Sequence, residues 1–312
     1  MTLWSKMTTG SKTRARLSVL LVAAAALSAL ASAPAQAGTG RLTIEIAGQK
    51  RTAIFVEPER LKRSPRTAII VLHGANNGSG RRIQANLGLD EMLRGSGAVA
   101  VYPDAMEGGW NVTGGSGPDD PAFLRALAAR LVADGVADRR KIFLIGASTG
   151  GMLALRIGCQ APDYLAGVGA LIAGLPSRLV ADCKPPPLSF LLVNGTANPL
   201  APYEGGHAKL PGFKEEIASA EATLAPFVAA NDCSTQRNVR EFPDRDQSDG
   251  SRVVMERFVG CRHLVELVRV EGGGHTLPGR PARADRGQSV GALNKDVNVS
   301  RLIAEFVRQS QR

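Results

Sequence analysis

Aromatic residues are scarce in this chain: two tryptophans, three tyrosines and nine phenylalanines among 312 residues. Lysine and arginine (38) outnumber aspartate and glutamate (28), but the basic residues are scattered and lack aromatic partners. Nucleic-acid binding therefore has little support. Histidine is rarer still, at four. No C-x-x-C or clustered histidine accompanies the cysteines, so the sequence argues against a metal site. After the first 37 residues no segment is long and apolar enough to span a bilayer. Internal repeats are absent, and no linker divides the remainder.

The N-terminus has its own pattern. Lys6, Lys12, Arg14 and Arg16 precede the apolar run LSVLLVAAAALSALA, which is followed by APAQAG. A basic region, a short apolar core and an A-x-A ending make a secretory signal peptide. Cleavage is expected after Ala37, giving a signal segment 1–37 and one domain over 38–312. The product would be secreted or periplasmic, with no membrane association after cleavage. The signal holds four basic and no acidic residues, so cleavage lowers the net charge from +10 to +6. The remaining 275 residues suffice for one sizeable α/β domain with a buried core.

Cys159, Cys183, Cys233 and Cys261 all follow the cleavage point. An even count in an oxidising compartment favours disulfides, with three connectivities to choose from. Sequence neighbours close the shortest loops, which favours Cys159–Cys183 and Cys233–Cys261. Each bond would stabilise the fold by roughly 3 kcal/mol.

RLTIEIAG and RTAIFVEP alternate and are joined at Gly48 to Lys50, which predicts an antiparallel hairpin. TAIIVLHG, AVAVYPDA, KIFLIG, AGVGALIAG and LSFLLVNG are continuous apolar runs, as expected of strands buried on both faces. Helical stretches are expected near 82–94, over DDPAFLRALAARLVADG, over STGGMLALRIGCQ and over FKEEIASAEATLAPFVAAN, the last kinked by Pro226. NVREF, RVVMERF and LVELVRVEG read as strands, and NVSRLIAEFVRQ as a closing helix. Strands alternating with helices imply a doubly wound, mostly parallel sheet with an N-terminal antiparallel hairpin.

Gly146-Ala147-Ser148-Thr149-Gly150 is a G-x-S-x-G between an apolar strand and a helix. A sharp turn there lifts the serine hydroxyl off the strand end, and small neighbours make the turn possible. Ser148 is thus the candidate nucleophile. His275, in EGGGHTLPG directly after a strand, is the candidate base. His73 ends another strand in LHGAN, where it would shape the oxyanion loop. His207 and His263 have no comparable setting. The backbone N–H groups of Thr149 and Ala75 are the candidate oxyanion donors.

LHGANNG, VAVYPDA, GGWN, GASTGGMLALRIGCQAPD, NGTANPLAPYEGG and GGGHTLPG, in this order, resemble the motifs of the polyhydroxybutyrate depolymerase-like esterases. That group is related to secreted feruloyl and acetylxylan esterases. The resemblance runs from about Thr67 to Arg312. It implies an α/β-hydrolase fold, a Ser/Asp/His triad and no cofactor, with Ser148 as nucleophile and His275 as base. Trp110 and Asn111 match a motif near the substrate cleft, to which His73 also belongs. The substrates implied are small esters, polyester oligomers or acylated glycans.

The third triad position departs from the pattern. The family loop reads T-A-D-P, and here it is Thr196-Ala197-Asn198-Pro199. An amide oxygen can accept a hydrogen bond from imidazole Nδ1–H, but it carries no charge, and its NH2 could hold the wrong tautomer. In chymotrypsin-like proteases the same exchange lowers turnover about 10⁴-fold, roughly 5.5 kcal/mol of barrier. Three readings follow. The chain is an attenuated esterase using Ser148, Asn198 and His275. Alternatively, it is a full esterase whose carboxylate comes from Asp104, Glu204 or the Asp244-Asp246-Asp249 loop. In the third, it is a catalytically dead α/β-hydrolase-fold protein that binds an acyl or glycan ligand.

Overall fold

The computed structural model describes residues 39–56, 66–75, 78–106, 109–280 and 290–311. The expected signal segment 1–37 lies outside the described residues.

Strands β1 (Thr39–Ile46) and β2 (Gln49–Val56) form the antiparallel hairpin. Their turn is Ala47-Gly48, both at positive φ, which suits the right-handed twist of the flanking strands. Next come β3 (Arg66–Leu72), β4 (Ala98–Pro103), β5 (Ala137–Ala147), β6 (Gly167–Leu171) and β7 (Ser189–Gly195). After two short strands, β8 (Gly206–His207) and β9 (Glu216–Ile217), the chain ends with β10 (Arg237–Glu241), β11 (Arg252–Phe258) and β12 (Val265–Glu271). Ten of these strands form one sheet in the order β1-β2-β4-β3-β5-β6-β7-β12-β11-β10.

The six strands from β4 to β12 run parallel. Antiparallel ribbons flank them on both sides: β1-β2 at one edge and β11-β10 at the other. The second ribbon extends the sheet beyond the expected single hairpin.

β3 through β7 connect through α1 (Gly80–Leu87), α2 (Leu89–Leu93), α3 (Asp120–Ala133) and α4 (Thr149–Gln160). α5 (Ala220–Ala230) and α6 (Val299–Gln309) complete the two helical layers. Side chains alternate across each strand, and the core divides accordingly. Ile70, Leu72 and Leu144 pack with Phe123, Met152 and Phe227 on one face. On the other, Ile69, Val71 and Phe143 pack with Leu87, Ile303 and Phe306.

Helix starts follow their capping residues. The side chains of Asp119, Ser219 and Asn298 accept bonds from the N–H groups of Ala122, Ala222 and Ser300. Two helical expectations need correction. The stretch near 82–94 is two helices, because Gly88 enters the left-handed region at φ 59° and ends α1. The helix expected from Phe213 begins only at Ala220. Upstream of the Ser219 cap, Glu216–Ile217 pairs instead with Gly206–His207, and the Ala218 N–H donates to Leu175 O. Residues 206–217 thus form a small flap, closed by a bridge between Leu210 and Phe213.

Both favoured disulfides are present. Cys159–Cys183 ties the end of α4 to the loop before β7, and Cys233–Cys261 ties the residues after α5 to the β11–β12 turn.

Candidate active site

The strand order places a site before any side chain is considered. β3 leads through α1 and α2 to β4 on one side, whereas β5 leads through α4 to β6 on the other. Where neighbouring parallel strands send their connections in opposite directions, a crevice opens beyond their C-terminal ends. Ser148 lies at the end of β5, and His73-Gly74-Ala75 at the end of β3.

Ser148 adopts φ 55°, ψ −124°. A non-glycine residue in such a conformation costs on the order of 1–3 kcal/mol and persists only where its surroundings hold it. Here the Ser148 N–H donates to Leu171 O at 2.9 Å, and its carbonyl accepts from Met152 N–H at 3.0 Å. The motif's glycines explain the rest. A Cβ on Gly146 would lie 2.1 Å from Gly150 O, and one on Gly150 would lie 2.4 Å from His73 O. Only glycine lets α4 approach β3 and β5 this closely.

His275 reaches over from the loop after β12. Its N–H donates to Val290 O at 2.5 Å, and the preceding Gly274 N–H to Ala292 O at 2.9 Å. Its Nε2 stands 3.0 Å from Ser148 Oγ, and its Nδ1 stands 3.2 Å from Asn198 Oδ1. β7 and β12 are adjacent parallel strands, and their exits are laced together. Ala197 N–H donates to Gly273 O at 3.0 Å, and Gly272 N–H to Thr196 Oγ1 at 2.9 Å.

Asn198 is buried, and its orientation is determined by its neighbours. Oδ1 accepts from the N–H groups of Leu200 and Ala201, each at 3.0 Å. With the oxygen thus held, Asn198 accepts from His275 Nδ1–H and leaves the Nε2 lone pair facing the serine hydroxyl. This is the tautomer a general base needs. Asn198 Nδ2 is buried with no hydrogen-bond partner among the described residues.

The carboxylates considered as substitutes are held elsewhere. Asp104 accepts from Thr52 Oγ1 at 2.8 Å and from Gly80 N–H at 2.8 Å. Asp246 pairs with Lys295 at 2.6 Å, and Asp249 accepts from Ser251 and Lys295 N–H. Asp244 lies 3.6 Å from Arg252, and Glu204 is exposed.

Thr149 is the first residue of α4, so the helix itself leaves its N–H unpaired and its dipole favours negative charge there. The loop after β3 presses on Ser148, since a Cβ on Gly74 would lie 3.1 Å from Ser148 Cβ. Ala75 follows directly. Asn76 and Asn77 lie outside the described residues. His73 is buried and braces this loop. Its Nδ1–H donates to Gly74 O at 2.8 Å, and its Nε2 accepts from Ala105 N–H at 3.1 Å. Burial lowers its pKa from the usual 6.5, outweighing the Gly74 bond and the carboxylates of Asp104 and Asp120. A neutral His73 can make both bonds.

Of the three residues expected along the cleft, His73 lines it, and Trp110 and Asn111 stand behind it. Trp110 Nε1–H donates to His73 O at 2.8 Å, and the rings lie 4.9 Å apart. Asn111 Oδ1 accepts from Gly114 N–H, and Asn111 Nδ2 donates to Pro118 O. The Asn111 N–H donates to Asp120 Oδ2 at 2.6 Å, and Asp120 in turn makes a buried ion pair with Arg51. These residues support the loop of His73, Gly74 and Ala75 from behind.

A cavity of about 460 Å³ opens over Ser148 and His275. Ile83 and Arg82 of α1, Lys209, Leu210 and Pro211 of the flap, and Leu277 and Arg280 beyond His275 supply its walls. Sequence reasoning did not find these wall residues. They come from three separate elements of ordinary composition, and only the fold brings them together. Among the described residues no cluster of histidine, cysteine or carboxylate could hold a metal, and no helix is long and apolar enough to cross a membrane.

No protein-family model matches the chain. It is 29% identical over 265 residues to the protein named as esterase NocK of Nocardia uniformis subsp. tsuyamanensis, covering 78% of this chain and 74% of that one. A protein of Aspergillus niger named as feruloyl esterase C is 26% identical over 200 residues. That match covers 64% of this chain and 65% of the relative, just under two thirds of its length. Among solved structures, the acetyl xylan esterase from Aspergillus awamori superposes with a TM-score of 0.57 at 12% identity, covering 79% of this chain and 97% of that one. With its strand order and G-x-S-x-G turn, the chain has the α/β-hydrolase fold.

Proposed function

We propose that this chain is a serine hydrolase of carboxylic esters that works through an acyl-enzyme. The hydrogen-bonded series Ser148–His275–Asn198 at the mouth of a cavity carries the reading. Ser148 Oγ attacks the ester carbonyl while His275 Nε2 takes its proton. The tetrahedral oxyanion forms against the N–H groups of Thr149 and Ala75. His275 then returns the proton to the departing alcohol, and a water repeats the sequence to release the acid. Asn198 holds the imidazole in the productive tautomer but adds no negative charge, so the enzyme is attenuated relative to one with aspartate there. No cofactor takes part.

Relatives named as esterase and feruloyl esterase support an ester substrate, and the motif resemblance to secreted feruloyl and acetylxylan esterases favours an acyl group carried on a polysaccharide. A polyester oligomer, as the motif order of polyhydroxybutyrate depolymerase-like esterases suggests, is the second candidate. The basic and apolar N-terminus and two disulfides support export to an oxidising compartment, as a domain over 38–312.

The test is kcat/KM on short p-nitrophenyl esters for the protein and for Ser148→Ala. Hydrolysis should fall to the uncatalysed background in Ser148→Ala. Equal rates in the two proteins, or no hydrolysis across several acyl lengths, would overturn the esterase reading in favour of a ligand-binding one.

A further inference from the structure

Three cations line the cavity over Ser148, each from a different element: Arg82 from α1, Lys209 from the flap, and Arg280 from the loop after His275. The cavity's described lining residues include no carboxylate. Several arginines outside the cavity meet acids: Arg125 pairs with Asp163, Arg237 with Glu221 and Glu256, and Arg257 with Glu266. Arg280 differs. Its Nε donates to Asn86 O, which pins the half-buried guanidinium against α1. Its two Nη groups have no partner among the described residues. The Lys209 ammonium likewise has none, although its backbone is fixed by a bond from Lys209 N–H to Leu200 O at 2.8 Å.

The Lys209 ammonium and the Arg280 Nη groups converge on one concave site with apolar side chains between them, which raises the local potential and attracts an anion. A planar guanidinium held from one side also presents paired donors suited to a carboxylate. We propose that the cavity selects esters bearing a carboxylate beyond the scissile bond, with Lys209 and Arg280 as the specificity-determining residues. This deepens the esterase reading and rests on it. The acid can belong to the acyl part or to the alcohol part of the ester.

Two matched pairs of probes separate these sources. p-Nitrophenyl hydrogen adipate against p-nitrophenyl hexanoate places the charge on the acyl side, and 4-acetoxybenzoate against 4-acetoxybenzamide places it on the alcohol side. The readout is the anionic-to-neutral ratio of kcat/KM. The ratio should exceed one in at least one pair by about two- to fivefold, as expected of partly exposed charge pairs. It should drop toward one in Lys209→Glu and Arg280→Gln, and also at high ionic strength. Lys209 is exposed, so its substitution is not expected to disturb folding. Ratios at or below one in both pairs, or ratios unmoved by Lys209→Glu, would overturn the proposal. Direct binding of the same four esters to Ser148→Ala keeps the two ideas apart. Preferential binding of the anionic members supports the charge assignment even if the parent hydrolyses nothing, and equal binding sinks it.

Discussion

Asn198 offers His275 its oxygen because two backbone N–H groups, from Leu200 and Ala201, hold that oxygen in place. The usual damage done by asparagine in this position, the wrong imidazole tautomer, is thereby avoided, and only the missing charge remains. Asn198→Asp should therefore raise kcat/KM, but by about one to two orders of magnitude rather than four, since a nearby opposite charge favours an imidazolium by about 1–3 pKa units. The second carboxylate oxygen would occupy the buried place where Nδ2 has no partner among the described residues, which limits the gain further. A gain near 10⁴ would mean that the amide had been presenting its nitrogen; no gain would mean that charge at this position is irrelevant. Ser148 and His275 could be singled out from the sequence because each stands in a glycine-rich turn at a strand end. The orientation of Asn198 could not, because it depends on two amides that no pattern marks. Trp110 and Asn111 carried a motif but sit one layer behind the cavity, where a motif selected for packing looks the same as one selected for contact.

At the scale of the element, the turn between β5 and α4 depends on close backbone approach. Gly150→Ala would drive a Cβ to 2.4 Å from His73 O. We expect it to destabilise the protein by about 2–3 kcal/mol, as overpacking does. It should also lower kcat/KM by at least about a hundredfold, because a shift of an ångström suffices for that. Parallel melting and kinetic measurements check both, and a fully active Gly150→Ala would contradict the geometry. Cys233→Ala combined with Cys261→Ala should lower unfolding free energy by about 3 kcal/mol, read from urea titration. The buried strands were legible as unbroken apolar runs, and α3 by its acidic start, proline and closing glycine. The flap was not legible. Its strands are two residues long, too short for any period, and FKEEIAS continues the composition of the helix that follows.

Over the whole molecule, alternating strands and helices announced a parallel sheet. The second antiparallel ribbon was hidden because nothing in the patterns of β10, β11 and β12 marks which of them joins the parallel set, although their short connections favour antiparallel pairing among them. Here β12 joins β7 in parallel, and the hairpin partners follow it outward. Global stability should carry the mark of buried His73. Its native pKa lies below 6.5, so the unfolded chain binds the proton more readily. The contribution is complete above pH 6.5 and is lost as pH falls toward the native value. Half-buried Asp90 and buried Glu266 have raised pKa values, chiefly through desolvation, and act in the opposite sense. Their stability is complete below their ordinary values and declines as pH rises. They are common to the protein and to His73→Gln, so the difference between the two urea titrations isolates His73. That difference should narrow between pH 6.5 and pH 5, and a constant one would show that His73 does not titrate there.

One imidazole serves both halves of the proposed turnover, so a neutral partner delays the departure of the acyl group as well as its arrival. The covalent intermediate becomes a species with a lifetime long enough to isolate. Rapid acid quenching during hydrolysis of a p-nitrophenyl ester, followed by intact-mass measurement, should find the chain heavier by one acyl group. Once substrate is removed, the added mass should disappear faster in Asn198→Asp.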